Sequence, residues 1–197
     1  MRAAYVWLID RWQWPAATLF AAGFLALLVP LVTADSGVVI ALVYAQLPAY
    51  MLHQFEEHHD DRFCNYVNAL LAGGAQALSP RAAFVINSVF VWGVDLVSLY
   101  LARFVSIGLG LIAVDLALVN AALHLTMAAI RREYNPGVWT ALFVFLPLGG
   151  WAYWTLVARG ATFGEGVLAF AIAVAIHVGI VVHVRRRIAQ GYIPTGA

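Results

Sequence analysis

The sequence predicts an all-α fold: a polytopic membrane helix bundle with six transmembrane helices and both termini in the cytoplasm. Three observations carry this. Of 197 residues, 63% are hydrophobic and only 11% charged, with a mean hydropathy of +0.85, whereas soluble domains carry about 25% charged residues. Apolar runs of about 20 residues, long enough to cross a bilayer core at roughly 1.5 Å per residue, recur along the chain. The arginines are unevenly shared between the connections that separate those runs.

The whole of 1–197 reads as a single membrane domain. Residues 1–14 form an interfacial lead in which Trp7, Trp12 and Trp14 suit the headgroup level. Asp10 and Arg11 interrupt it, so it does not have the pattern of a signal peptide. The first span is expected over 15–33, with Pro15 at its start, where a missing N–H costs nothing. A turn at 34–37 leads to a second span from 37 to at least 53, kinked by Pro48. Residues 62–80 read as an interfacial helix, a glycine hinge at Gly73-Gly74 and a loop. The third and fourth spans are expected over 81–102 and 105–130. Glu133-Tyr134-Asn135-Pro136-Gly137 is a turn in which Asn135 would cap the fifth span, 138–157. The sixth covers 167–184, and 188–197 is a polar tail.

Six spans place both termini on one side, together with Arg2, Arg11, Arg62, Arg81, Arg131, Arg132, Arg185, Arg186 and Arg187. Arg103 and Arg159 face the other side, and this asymmetry makes the arginine-rich side cytoplasmic. The expected location is therefore a bacterial inner membrane. A net charge of +1 offers no basic face for phosphates, so no nucleic-acid partner is expected. The single cysteine, Cys64, excludes an internal disulfide.

Against this apolar background, the stretch from His53 to Arg62 holds four of the ten acidic residues and three of the six histidines. At about 100° per residue, His53, Glu56, Glu57 and Asp60 share one helical face, while His58 and His59 turn away and read as solvated. Glu56-x-x-His59 keeps His59 in reserve as a ligand. His124 and His177 precede Arg131 and Arg185 by seven and eight residues, which puts them roughly 10–12 Å inside the membrane at helical rise. His53 lies at a similar depth, with Asn87 in the same layer and Asn120 one turn deeper than His124. His183, next to the terminal arginine run, reads as interfacial. Asp95 and Asp115 fall in the opposite half of the membrane and are read as structural hydrogen-bonding groups or partners of Arg103.

Intramembrane ionisable groups mark function by default, because burying them is costly. His and Glu three or four residues apart supply two ligands from one helix. His53, Glu56, Glu57, His124 and His177 together match Zn²⁺ or Fe²⁺, as one ion or a pair. Glu56 or Glu57 is the candidate catalytic carboxylate, with Asn120 beside it.

His53-x-x-Glu56-Glu57 resembles the signature of the HXXEE-motif family of small multipass membrane proteins. Ile86-Asn87, Asn120-x-x-x-His124, Tyr134-Asn135-Pro136-Gly137, Thr140, Leu146-Pro147-Leu148 and His177 extend the resemblance. It implies a catalytic or metal-binding role for His53, Glu56, Glu57 and His124, and no particular activity. Members continue after the motif with an aromatic-Pro-Gly loop, where this chain has His58-His59-Asp60-Asp61-Arg62.

Three functions remain open from sequence. The first is a membrane metalloenzyme that hydrolyses or oxidises a lipophilic substrate entering from the membrane lipid. The second is a metal-free acid–base hydrolase, similar in its parts to type II CAAX-type intramembrane proteases, in which adjacent carboxyls divide into an acid and a base. The third is a proton- or metal-coupled transporter or sensor. The absence of paired broken helices in the two halves argues against that one.

Overall fold

A computed structural model describes residues 12–190. The expected interfacial lead and polar tail lie largely outside the described residues. No strand occurs among those described. The helices are α1 (Trp14–Leu27), α2 (Val29–Tyr44), α3 (Gln46–His58), α4 (Arg62–Ala72), α5 (Pro80–Phe104), α6 (Leu111–Arg131, entered through a 3-10 turn at Ile107–Gly110), α7 (Val138–Ala158) and α8 (Phe163–Ala189).

Five stretches among the described residues are long and apolar enough to cross a membrane: Val29–Ala72, Pro80–Phe104, Ile107–Arg131, Val138–Ala158 and Phe163–Ala189. The chain is thus a multipass membrane protein, but the expected count of six is corrected to five. The reason is local. Pro30 has no N–H for the carbonyl four residues back, so the first helix stops at Leu28 after 14 residues, roughly 21 Å against a hydrocarbon core of about 30 Å. Helix resumes as α2 and runs on into the expected second span. With five, an even count no longer puts both termini on one side.

Within α2 the chain turns at Gly37, whose φ of +81° is open to glycine at little cost. Tyr44 donates its hydroxyl to the Leu25 carbonyl at 2.9 Å, and α1 lies along α3. Pro48 works in the same way as Pro30. Helix is interrupted at Ala45, three residues before Pro48, as expected of a missing N–H one turn upstream. Pro147 leaves the Phe143 carbonyl without its usual donor, and α7 widens there into a π-turn over Ala141–Phe145.

The helices close on small residues. Ala117, Ala121, Ala141, Ala152, Ala169 and Ala173 are completely buried, which lets backbones approach closely without a solvent-driven force between helices. One apolar cluster, around Leu42, Val43, Leu111, Val114 and Leu156, fills the end of the bundle far from the motif. A second, around Tyr50, Leu116 and Phe145, lies directly beneath it. A third joins Cys64, Leu78, Ala83 and Val184 beside α4. The loop after α4 is fastened by Asn68, which donates to the Leu78 carbonyl at 2.8 Å and accepts from the Leu78 N–H at 2.7 Å. At the opposite end, Thr162 and Glu165 form a reciprocal capping box that starts α8, and Glu165 also accepts from the Ser106 hydroxyl.

Candidate metal centre

The motif folds as one helical turn and then stops. His53 and Glu57 stand four residues apart on α3 and therefore on one face. Helix α3 ends at His58, and Asp60 and Asp61 then adopt φ of +58° and +54°, a left-handed pair unusual for non-glycine residues. That reversal sends the chain into α4. Asp60, expected on the site face, instead points into solvent with an 82% exposed side chain and a contact from His59 Nδ1 at 3.2 Å.

Two other segments meet His53 and Glu57. Helix α6 supplies His124. The turn 133–137 folds back over the cluster and places Gly137, at φ +102°, against it. A Cβ at that position would stand 2.7 Å from Cε1 of both His53 and His124, and 2.9 Å from Glu57 Cγ. Only a glycine fits so close to the rings at that backbone angle.

Hydrogen bonds at the far nitrogens orient both imidazoles. Thr140 donates its hydroxyl to Glu56 Oε2 at 2.6 Å. Its oxygen therefore accepts from His53 Nδ1, 2.7 Å away. Asn135 donates from Nδ2 to the His124 carbonyl at 3.0 Å, so its Oδ1 accepts from His124 Nδ1 at 2.6 Å. With both protons held at Nδ1, neutral rings present Nε2 lone pairs. Both lone pairs face the same carboxylate: His124 Nε2 is 3.0 Å from Glu57 Oε1, and His53 Nε2 is 3.5 Å from Glu57 Oε2. His53 Nε2 has no hydrogen-bond partner. The three residues are 0%, 4% and 6% exposed for His53, Glu57 and His124, and their ligand atoms lie within 4.8 Å of one another. Acceptors facing acceptors in a buried space call for positive charge between them, a proton or a metal ion. Backing of each ligating ring by a fixed acceptor is the usual support of a histidine metal site.

The remaining sequence-predicted residues divide. Glu56 is not with the ligand trio. It caps the start of α7, accepting from the Thr140 N–H at 2.7 Å and the Trp139 N–H at 3.1 Å, where a carboxylate complements the helix dipole. Tyr134 donates to Glu56 Oε1 at 3.1 Å. Partial burial first, and the Glu56 carboxylate second, push the Tyr134 hydroxyl above its ordinary value and keep it a donor. His177 lines the same cavity as the trio, but its Nδ1 bonds to the Ala173 carbonyl at 2.8 Å and it stands outside the ligand group. Asn120 also lines that cavity, with Oδ1 buried and unpartnered.

Asn135 corrects an expectation: it is buried against His124 and does not cap α7, whose N-cap is Gly137. His58 corrects another. Read as solvated, it is buried, with its ring 5.2 Å from Trp14. A one-way donor chain ends on it. Trp92 Nε1 donates to Gln54 Oε1 at 2.7 Å, Gln54 Nε2 to Asn87 Oδ1 at 3.1 Å, and Asn87 Nδ2 reaches His58 Nε2 at 2.9 Å. Indole can only donate, which sets the direction throughout. His183 is exposed. Asp95 and Asp115 are buried outside the trio, Asp95 with both oxygens unpartnered, while Arg103 lies over the Phe104 ring at 5.6 Å.

Thr140, Asn135 and Gly137 thus support the centre without being read as part of it from sequence. The signal available was the Asn-Pro-Gly run and the threonine three residues after its glycine. Thr140→Val keeps the side-chain shape and removes the acceptor of His53 Nδ1. Metal affinity measured by chelator competition is expected to fall about 10- to 100-fold with helix content unchanged.

A family model described as "Protein of unknown function with HXXEE motif" matches residues 44–152. That stretch contains His53, Glu57, His124, Asn135, Gly137 and Thr140. No curated protein and no solved structure matches the chain.

Proposed function

We propose, for a chain that belongs to the HXXEE-motif family, an integral-membrane metalloenzyme acting on a lipophilic substrate. His53 Nε2, His124 Nε2 and Glu57 hold one divalent ion. The observation that carries this reading is the convergence of two Nδ1-anchored imidazoles on one buried carboxylate, with His53 Nε2 left partnerless. Two histidines and a glutamate are a known ligand set of catalytic zinc, which keeps a further position for water or substrate. Two histidines and one carboxylate equally suit non-haem Fe²⁺. The ion would lower the pKa of water or polarise a carbonyl. Hydrolysis is the first reading, and iron in the purified protein would move it to oxygen-dependent oxidation.

The chain's own contributions are those of position. Gly137 and the 133–137 turn cover one side of the trio, Thr140 and Asn135 hold the rings, and a cavity of about 260 Å³ opens on Glu57, His58, His124 and His177. Arg62, Arg81, Arg131, Arg132 and Arg185 to Arg187 lie towards the motif-side ends of α4, α5, α6 and α8, and the positive-inside bias would turn that end to the cytoplasm of a bacterial inner membrane.

A metal-free reading has one observation in its favour. The 3.0 Å contact of His124 with Glu57 also suits a shared proton, and so an acid–base pair. Elemental analysis of detergent-purified protein separates the two. About one Zn or Fe per chain, lost in His53→Ala and in His124→Ala, is expected. Metal-free wild-type protein that retains its fold and activity would leave only the acid–base pair.

A further inference from the structure

Asp95 and Asp115 are buried inside the bundle and take no part in the trio. Both oxygens of Asp95 are enclosed by protein. Asp115 is placed differently. It stands on α6 nine residues before His124, roughly 13.5 Å along the helix axis. There it lines a separate cavity of about 500 Å³ between α6, α7 and α8. The residue is only 4% exposed, and its carboxyl has no hydrogen bond or ion pair with any of the described residues. An intramembrane carboxyl without a partner, facing a cavity, is where a ligand is to be sought.

The lining sorts ligands by charge. Asp115 is its single formally charged side chain, and no arginine borders it. The start of α8, the position an anion would favour, is already taken by a carboxylate: Glu165 Oε2 accepts from the Thr162 N–H and hydroxyl at 2.7 Å each. An anionic ligand would therefore meet negative charge and find no positive side chain. A cation meets the reverse. It would compensate a carboxylate that is costly to bury alone. It would also lie among the rings of Tyr153, Phe163 and Phe170, which border the cavity and whose faces attract cations. A neutral molecule of the same shape lacks both attractions. The remaining walls, including Leu111, Val157 and Val167, are apolar, and Phe163, Val167 and Phe170 are exposed on the outside of α8. The volume falls in the roughly 300–1,000 Å³ range of small-molecule sites. A zwitterionic phospholipid would bring a phosphate beside its ammonium, close to Asp115 and with no arginine in the lining to meet it.

We propose that this cavity binds a lipophilic amine in its ammonium form, with the charge on Asp115 and the apolar body against Tyr153, Phe163 and Phe170. The site is separate from the trio, and the proposal stands or falls independently of any metal there.

The test measures equilibrium binding to the full chain in phosphatidylcholine nanodiscs, corrected for uptake by empty nanodiscs. Three tritiated probes of one shape are compared at neutral pH: dimethyl-hexylbenzylamine, the hydrocarbon with carbon in place of its nitrogen, and hexylphenylacetic acid. The amine is expected to bind saturably and at least about 10-fold tighter than either of the others. Asp115→Asn keeps the size and polarity of the side chain and removes its charge, and should weaken the amine about 10-fold, to the level of its hydrocarbon isostere. Gly166→Leu fills the cavity from another side. A Cβ there would stand 3.5 Å from the Tyr153 hydroxyl and 3.8 Å from Leu111, so the longer side chain enters the space and should reduce amine binding at least about 10-fold. Helix content and melting temperature are read on every sample. Should Asp115→Asn fail to fold, Gly166→Leu and the comparison of probes on the wild type decide. Equal binding of amine and hydrocarbon, an acid bound as tightly as the amine, or a folded Asp115→Asn that binds the amine like the wild type would overturn the proposal. Replacing phosphatidylcholine by phosphatidylethanolamine should leave the amine's affinity unchanged. Competition by that lipid would give the site to a headgroup and overturn the assignment to a free amine.

Discussion

Glu57→Gln is expected to empty the metal centre and leave the protein folded. The substitution removes the one anionic ligand, while the amide keeps the shape of the side chain and gains N–H donors. In the wild type two imidazole lone pairs face a carboxylate at 3.0 and 3.5 Å, an arrangement that needs a cation or a proton. In the variant the amide donates to one ring, and the need for a cation disappears. Losing a fixed acceptor behind a ligand costs about 10- to 100-fold in affinity, and losing the ligand itself should exceed the upper end of that range. Metal per chain is therefore expected to fall to background, with a melting temperature within a few degrees of the wild type or above it. The comparison that decides is Glu57→Gln against Glu57→Ala. The alanine leaves both the space and the lone pairs unfilled and should lose metal and stability together. A glutamine variant that retains full metal content would remove Glu57 from the centre.

Gly137→Ala should do comparable damage from the opposite side of the ligands. The methyl group would meet both imidazole Cε1 atoms at 2.7 Å and Glu57 Cγ at 2.9 Å. The backbone angle of +102° adds a cost on the order of 1–3 kcal/mol for a residue with a side chain. All three close neighbours are buried residues of the candidate trio, so relief can come only by pushing the rings off their Nδ1 acceptors or by lifting the turn. Either motion spoils the convergence on Glu57. The expected result is loss of most bound metal together with a lower melting temperature. Gly74, also at positive φ but with open space around it, is the control: Gly74→Ala should cost stability through its backbone and leave metal content unchanged.

Part of this arrangement was legible from sequence, and the rest was hidden for definable reasons. His53 and Glu57 follow from an i,i+4 spacing, and His124 from its matching depth on another helix. Such arguments use rise and rotation, which an α-helix preserves. The same arguments could not separate Glu56 from Glu57. Both lie near the His53 direction, and the difference arises from the free N–H groups of Trp139 and Thr140, more than 80 residues away in sequence. His58 looked solvated because it stands in a charged run. The left-handed pair at Asp60-Asp61 ends the helix there and folds α4 back beside it. His177 and Asn120 reached the cavity but not the ligand trio, since depth sets the height of a residue in the bundle and not its radial distance. The span count failed at Pro30, where an apolar run continuous in sequence is interrupted as a helix.

The turn at 133–137 also bears on how the protein is made. His53 and Glu57 leave the ribosome long before His124, and the acceptors that fix the two rings, Asn135 and Thr140, come later still. Until α6 has entered the bilayer and the turn has docked, Glu57 has no fixed partner from another helix. A charged group in that position favours a shallow, water-exposed placement of α3 during synthesis. Helix α8 supplies none of the three residues of the trio and packs along α6. On the reading of the trio as a metal site, all three candidate ligands and both ring acceptors are present once residue 140 is in place.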